Sequence, residues 1–220
     1  MLMAVLIPLL VNGLAYGAAW ISGLVQFSVP SNIIPKPLPN PANPILRLGW
    51  TMFLSMTLVT AFFSIFLTPG EEIGWRGFML TRLVEAKVPA PLLVSGLIWG
   101  LFHVPDILSG QYKPGGGPNI WLALALFFVS LVAFSYFLNW LRLRSGSIWP
   151  CILAHGAWNA VTQVGLNPLV HGANAQLWIG ESGILVALVA VIVIVAFYRL
   201  WPLREMLRQP EQPIVNGEKA

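Results

Sequence analysis

Six stretches of this chain, at 2–27, 48–68, 91–109, 119–141, 147–166 and 182–201, stay apolar long enough to cross a hydrocarbon core ~30 Å thick, which takes roughly 17 to 25 helical residues. A sequence patterned this way is expected to fold as an all-α, polytopic transmembrane bundle of about six spans. Composition agrees: 57% of the 220 residues are hydrophobic and 9% are charged, where an ordinary soluble domain carries about 25% charged residues. Mean hydropathy is +0.76. The net charge of +4 and a pI near 9.6 do not point to nucleic acid, because no basic stripe tracks a phosphate backbone. The positive charge reads as a topology signal instead. A single cysteine, Cys151, excludes an internal disulfide and a Cys-rich metal site. The chain opens Met1-Leu2-Met3-Ala4 with no basic n-region, and no clear small-residue cleavage pattern precedes Phe27, so the first stretch is expected to be a retained span rather than a signal peptide.

Between the first two stretches lies a Pro- and Asn-rich connector, Pro30 to Pro44, whose prolines forbid helix and favour extended backbone. Pro69 and Gly70 interrupt the end of the second. Residues 70 to 87 then mix apolar side chains with Arg76, Arg82, Glu85 and Lys87 at helical spacing, which predicts a short helix continuing from, or kinked against, the second span. The run Tyr112-Lys113-Pro114-Gly115-Gly116-Gly117-Pro118 reads as a flexible turn and 209–220 as a polar tail. Counted by alternate sides of six spans, Arg82, Lys87, Arg142, Arg144, Arg199, Arg204, Arg208 and Lys219 fall on one side with both termini, against Lys36, Arg47 and Lys113 on the other. The positive-inside rule makes that first side, and both termini, cytoplasmic.

Against this background the ionisable residues inside apolar stretches stand out. A charge at the centre of a membrane helix costs on the order of 2.5 to 3.5 kcal/mol, so such groups are expected to face a polar intramembrane cavity rather than lipid. Glu71, Glu72 and Arg76 follow the second stretch; His103 lies in the third and His155 in the fifth. On a helix Glu72 and Arg76 stand about 40° apart around the axis and Glu71 and Arg76 roughly 140° apart, so Glu72 is the natural ion-pair partner. Glu71 is left to face a substrate, with Trp75 as an apolar wall, a setting suited to a general base. The competing reading is a structural ion-pair cluster at a helix end. His103, one turn after Trp99, reads either as a site residue or as an interhelical hydrogen-bonding histidine. In His155-Gly156-Ala157-Trp158-Asn159 the imidazole and carboxamide share one helix face, which suits a pair of oxyanion donors and equally suits polar glue in small-residue helix packing. His171 reads as solvated, Asp106 as a helix-end residue beside Pro105 with orientation of the His103 ring as the alternative, and Cys151, four residues before His155, as a buried thiol with a thiol–imidazole pair as the alternative. Zincin, nucleophile-elbow and phosphate-loop patterns are absent. Glu71, His103 and His155 are acceptable zinc ligands, so zinc and no cofactor both stay open.

Three short motifs in order, Glu71-Glu72-Ile73-Gly74-Trp75-Arg76, Trp99-Gly100-Leu101-Phe102-His103 and His155-Gly156-Ala157-Trp158-Asn159, make the chain resemble the CAAX protease and bacteriocin-processing family, also called the Abi or type II CAAX prenyl endopeptidase family. Its signature is Glu-Glu-x-x-x-Arg, Phe-x-x-x-His and His-x-x-x-Asn, so Trp99 stands where phenylalanine is usual. The resemblance implies an intramembrane endopeptidase acting on a membrane-associated protein or peptide at the bilayer. Glu71 and His103 would activate water, His155 and Asn159 would stabilise the oxyanion, and Glu72 and Arg76 would support the geometry. A metalloprotease label and a metal-free glutamate mechanism are both attached to that family. The expected organisation is an N-terminal span and loop over 1–46, a catalytic core over 47–166 and a C-terminal span and tail over 167–220. A non-catalytic alternative, a bacteriocin-immunity scaffold or small transporter, would bind with the same pocket, although no internal repeat of the transporter kind is visible. One tension is geometric. A simple span count puts Glu71 at the membrane edge and His103 about two-thirds of the way across its helix, too far apart in depth for shared chemistry at about 1.5 Å per residue. Either Pro69-Gly70 kinks the second span back, or the third begins recessed at Pro89-Ala90-Pro91.

Overall fold

The computed structural model describes residues 1–28, 58–59, 62, 66, 68–113, 115, 117 and 119–202. Helix α1 (Leu2–Ile21) leads to a two-residue strand β1 (Gln26–Phe27). Pro69 then occupies the first turn of α2 (Pro69–Glu72), which passes without a break into a π-helical stretch, Ile73–Met79, and on into α3 (Leu80–Glu85). The chain reverses through Lys87 and Ala90, both at positive φ, into α4 (Pro91–Leu108), again opened by a proline whose missing N–H costs a first turn nothing. Helix α5 (Ile120–Ser145) is the longest. Its start is fixed by the Asn119 side chain, which accepts from the N–H groups of Trp121 at 3.0 Å and Leu122 at 3.2 Å. Its end is fixed by Gly146 at φ 68° with Arg142 and Arg144 in the last turn. Helix α6 (Trp149–Asn159) also runs into a π-helical stretch, Ala160–Leu166, and a short turn of 3₁₀ helix, Asn167–Leu169. Strand β2 (Val170–His171) pairs antiparallel with β1, Gln26 opposite His171 and Phe27 opposite Val170. A single turn α7 (Ala175–Trp178) and the apolar α8 (Ile184–Leu200) follow.

Three of these helices, α1, α4 and α5, are both long and apolar enough to span a bilayer, and α8 is apolar but shorter. The helical membrane architecture therefore holds, whereas six full spans are not counted among the described residues. Most of the 48–68 stretch, the Pro30–Pro44 connector and the 209–220 tail lie outside them. The fifth expected stretch is helical from Trp149 to Leu166 and changes from α to π at Ala160. One continuous apolar core draws on α1, α4, α5, α6 and α8, so the terminal helices complete the bundle that the central ones begin.

In lipid, helix association relies on close van der Waals approach and on polar contacts between helices. Both are present. A Cβ on Gly96 would meet the Ser135 side chain at 3.2 Å and the Val132 Cα at 3.3 Å, and one on Gly100 would meet the Phe128 ring at 2.7 Å, so α4 and α5 cross on the two glycines. Asn12 of α1 accepts from the Thr162 hydroxyl at 2.9 Å, which ties α1 to the π stretch after α6.

The tension in depth is resolved by α2 and α3. They run back along α4 as the first arm of an antiparallel hairpin, with the Trp75 and Phe102 rings 5.3 Å apart at its open end. Glu71 therefore stands level with the second half of α4, well away from the reversal at 87–90. Two of the catalytic candidates also sit where α-helix yields to π-helix: Glu71, with the supporting Glu72, lies just before Ile73, and Asn159 just before Ala160. Single π turns inside helices recur at functional sites because they re-aim neighbouring side chains.

Candidate active site

Arg76 is the largest fully buried side chain among the described residues. Its guanidinium is held by three side chains from two helices: Nη1 donates to Glu72 Oε1 at 2.9 Å, Nη2 to the Ser135 hydroxyl at 3.0 Å, and Nε to Asn139 Oδ1 at 3.3 Å. Asn139 in turn donates to the Leu92 carbonyl at 3.2 Å. The Arg76 carbonyl accepts from Arg142 Nε at 3.1 Å. The Trp99 ring covers the cation, its centroid 4.1 Å from the guanidinium carbon. A buried charge persists only when it is paired and hydrogen-bonded, and this one is both.

Glu72 is shared. The oxygen that takes Arg76 also lies 2.8 Å from His155 Nδ1. An ionised carboxylate only accepts, so Nδ1 carries the proton in that contact and Nε2 is the nitrogen left for other partners. His103 is set the same way by a different acceptor, its Nδ1 lying 2.9 Å from the Trp99 carbonyl. Both imidazoles are therefore oriented through Nδ1, one by a carboxylate and one by the backbone of its own helix.

Glu71 points the other way. Its Oε2 accepts from the indole N–H groups of Trp99 at 3.0 Å and Trp75 at 3.3 Å. Trp75 is thus a hydrogen-bond donor to the carboxylate as well as the apolar wall expected from the sequence. Trp99 has a larger role than the substitution of one aromatic for another suggested. It donates to Glu71, offers its carbonyl to His103, covers Arg76, and stands between the imidazoles, its ring 6.0 Å from His103 and 5.2 Å from His155. Phenylalanine at this position has no N–H to give. Trp99→Phe is accordingly expected to lower kcat by roughly tenfold, since a hydrogen bond to a charged group is worth ~1.5–3 kcal/mol and part of it fixes Glu71. Steady-state kinetics with an unchanged KM is the check, and parental kcat would show that the indole bond does not matter.

Glu71, His103, His155 and Asn159 all line one cavity of about 310 Å³, walled by Phe127, Phe134 and Trp158 among others. Glu72 and Arg76 lie behind that surface, fully buried. Among the described residues no three His, Cys, Asp or Glu side chains come together as ligands for one metal ion. The set Glu71, His103 and His155 therefore does not fit a zinc site in this arrangement. Cys151 is not paired with His155; its thiol is buried and donates to the Leu138 carbonyl at 3.2 Å. His171 is exposed. Asp106 lines the cavity, and it is the Trp99 carbonyl that orients His103.

Several residues of the site escaped the sequence reading. Ser135 and Asn139 are spaced i and i+4 in an otherwise apolar helix, a pattern that marks a polar face inside a bundle. Gln163 lines the cavity and continues the four-residue interval of His155 and Asn159, and Glu181 arrives from a short turn with no signal in its own neighbourhood.

A family model described as type II CAAX prenyl endopeptidase Rce1-like matches residues 47–161, more than half of the chain, and contains all three motifs. No curated relative and no solved structure matches. A helical membrane protein whose matched span carries a glutamate, two histidines and an asparagine into one cavity belongs to the type II CAAX prenyl endopeptidase Rce1-like family, a family of membrane proteases.

Proposed function

We propose that the chain hydrolyses a peptide bond of a membrane-associated protein or peptide in this cavity, from the cytoplasmic side on which both termini lie, without a metal ion. The observation that carries the reading is the convergence of Glu71, His103, His155 and Asn159 on a single cavity from three separate helical segments. A peptide carbonyl needs a base to deprotonate water and donors for the developing oxyanion, and the four side chains supply both.

Glu71 is the base. Its carboxylate is held by two indoles at one oxygen, which leaves the other free to accept a proton. His103, fixed through Nδ1, offers Nε2 to the same water and helps to place it. Asn159 donates an amide N–H to the oxyanion. His155, its Nδ1 held by the Glu72 carboxylate, presents Nε2 beside Asn159 and adds a second donor when that nitrogen carries a proton. Glu72 and Arg76 act through position: they hold His155 and the hairpin that carries Glu71, and neither reaches the cavity.

Asn159→Ala tests the oxyanion assignment. It is expected to lower kcat by ~10²- to 10³-fold with little change in KM, the pattern for a contact made mainly in the transition state. The assay is cleavage of a panel of membrane peptides by detergent-purified protein, with and without chelator. Chelation is expected to leave the parent's rate unchanged. Activity lost on chelation and restored by zinc alone would overturn the metal-free mechanism, and a KM effect alone would move Asn159 from oxyanion donor to substrate binder.

A further inference from the structure

Besides Glu71 and Asp106 the cavity holds a third carboxyl, and this one lies outside the matched span. Glu181 belongs to Gly180-Glu181-Ser182-Gly183, a turn closed by the Gly183 N–H donating to the Gly180 carbonyl at 2.9 Å. Gly180 has φ +89°, and a Cβ on Gly183 would meet the backbone of Ile179 at 2.5 Å, so the turn depends on glycine at both ends. The Gly180 N–H also donates to the Tyr16 hydroxyl at 3.2 Å, and that hydroxyl donates to Asn167 Oδ1. The turn is thereby tied to α1 and to the end of the α6 segment. Glu181, fixed in this way, is only 8% exposed. It lines the same cavity as Glu71 and accepts from Gln163 Nε2 at 3.2 Å.

Position gives this carboxyl a meaning. His155, Asn159 and Gln163 follow one another at four-residue intervals, and all three line the cavity. Asn159 is therefore flanked on one side by His155, whose neighbour Trp99 holds Glu71, and on the other by Gln163, which holds Glu181. A peptide carbonyl whose oxygen is bound at Asn159 has a carboxyl available on each side, one for the incoming water and one for the departing nitrogen.

We propose that Glu181 is a catalytic residue of the same hydrolysis, the acid that gives a proton to the leaving amine. The proposal rests on the reading of Glu71 as the base. Glu71 takes a proton from water as the new O–C bond forms. When the tetrahedral intermediate collapses, the C–N bond breaks, its electron pair goes to nitrogen, and the Glu181 carboxyl proton follows it there. Glu71 then holds the proton from water and Glu181 is a carboxylate, so one proton transfer across the cavity restores both.

The two environments suit this division. Glu71 receives two indole N–H bonds, whereas Glu181 receives one neutral amide in a turn that is almost fully buried. Burial, with the Glu71 charge adding to it, pushes the Glu181 carboxyl up to about 7. A carboxyl that keeps its proton near neutrality is matched to general-acid work, and two cavity carboxyls with opposed environments are the usual mark of an acid and a base.

The test uses a membrane peptide that the parent protein cleaves, together with its analogue carrying a thioester at the scissile position. A thiol, with a pKa of about 8.5, leaves as thiolate and needs no acid, whereas an amine does. Glu181→Gln is expected to slow the peptide by ~10²-fold and to leave the thioester within about threefold of the parent. Glu181→Asp, which keeps a proton at shorter reach and serves if the glutamine variant does not fold, is expected to slow the peptide by about tenfold with the thioester again unchanged. Equal slowing of both substrates, or slowing of neither, overturns the assignment of Glu181 as the acid. Glu71→Gln is expected to slow both substrates. If it slows neither, the reading of Glu71 as the base fails instead, and the assignment of Glu181 falls with it.

Discussion

Glu71→Gln is expected to reduce peptide-bond hydrolysis by ~10²-fold or more while the protein still folds and still binds its substrate. The substitution keeps the side chain's length, and its amide oxygen still accepts from Trp75 and Trp99, so the hairpin and the cavity wall stay in place. Only the ability to take a proton from water is removed. Turnover of a quenched membrane peptide gives the rate, and the unfolding temperature in detergent together with the peptide's KM shows whether the fold and the cavity survive. A variant that folds, binds and cleaves at the parental rate would show that the base lies elsewhere.

Arg76→Met is expected to produce the largest loss of stability, because it strands Glu72 as a fully buried carboxylate. Breaking a buried pair by removing one partner costs ~3–5 kcal/mol, far more than the pair itself contributes over an apolar substitute. Here the loss spreads further, since the guanidinium also satisfies Ser135 and Asn139 and sits under Trp99. The double variant Glu72→Gln with Arg76→Met removes both charges and is expected to recover a good part of the stability. It is not expected to recover activity, because His155 loses the carboxylate that sets its tautomer. Thermal unfolding of both variants in the same detergent is the measurement. A single variant as stable as the parent would mean that the cluster is open to solvent and that its burial carries no cost.

Much of this was legible from residue types and spacing. The apolar stretches locate α1, α4, α5 and α8 to within a few residues, because length and hydropathy alone decide what can sit in a bilayer. The Glu72–Arg76 pair follows from one helical turn of separation, and the structure forms it across the junction with a π stretch. What could not be read was register in space. The span count placed Glu71 at a membrane edge, since nothing in residues 70–87 announces that the helix folds back against α4. Trp99 looked like an aromatic replacement because its indole N–H matters only once Glu71 is opposite it. Ser135 and Asn139 carry no motif and gain their role from a cation on another helix. Glu181 stands in a Gly-flanked polar turn of the kind that normally faces solvent; its burial is decided by Tyr16 and Asn167, residues far away in sequence. In each case the missing information is a tertiary contact, which local pattern does not encode.

The central claim is that water, activated in this cavity, cuts a peptide bond. It is tested most directly by incubating the purified protein with a membrane peptide in heavy-oxygen water and weighing both products by mass spectrometry. The expected result is two peptides from a single internal cut, one heavy oxygen in the new carboxyl terminus, and no product from the Glu71→Gln variant in the same time. An intact peptide bound but never cut by the parent, or equal heavy-oxygen incorporation by parent and Glu71→Gln, would contradict it.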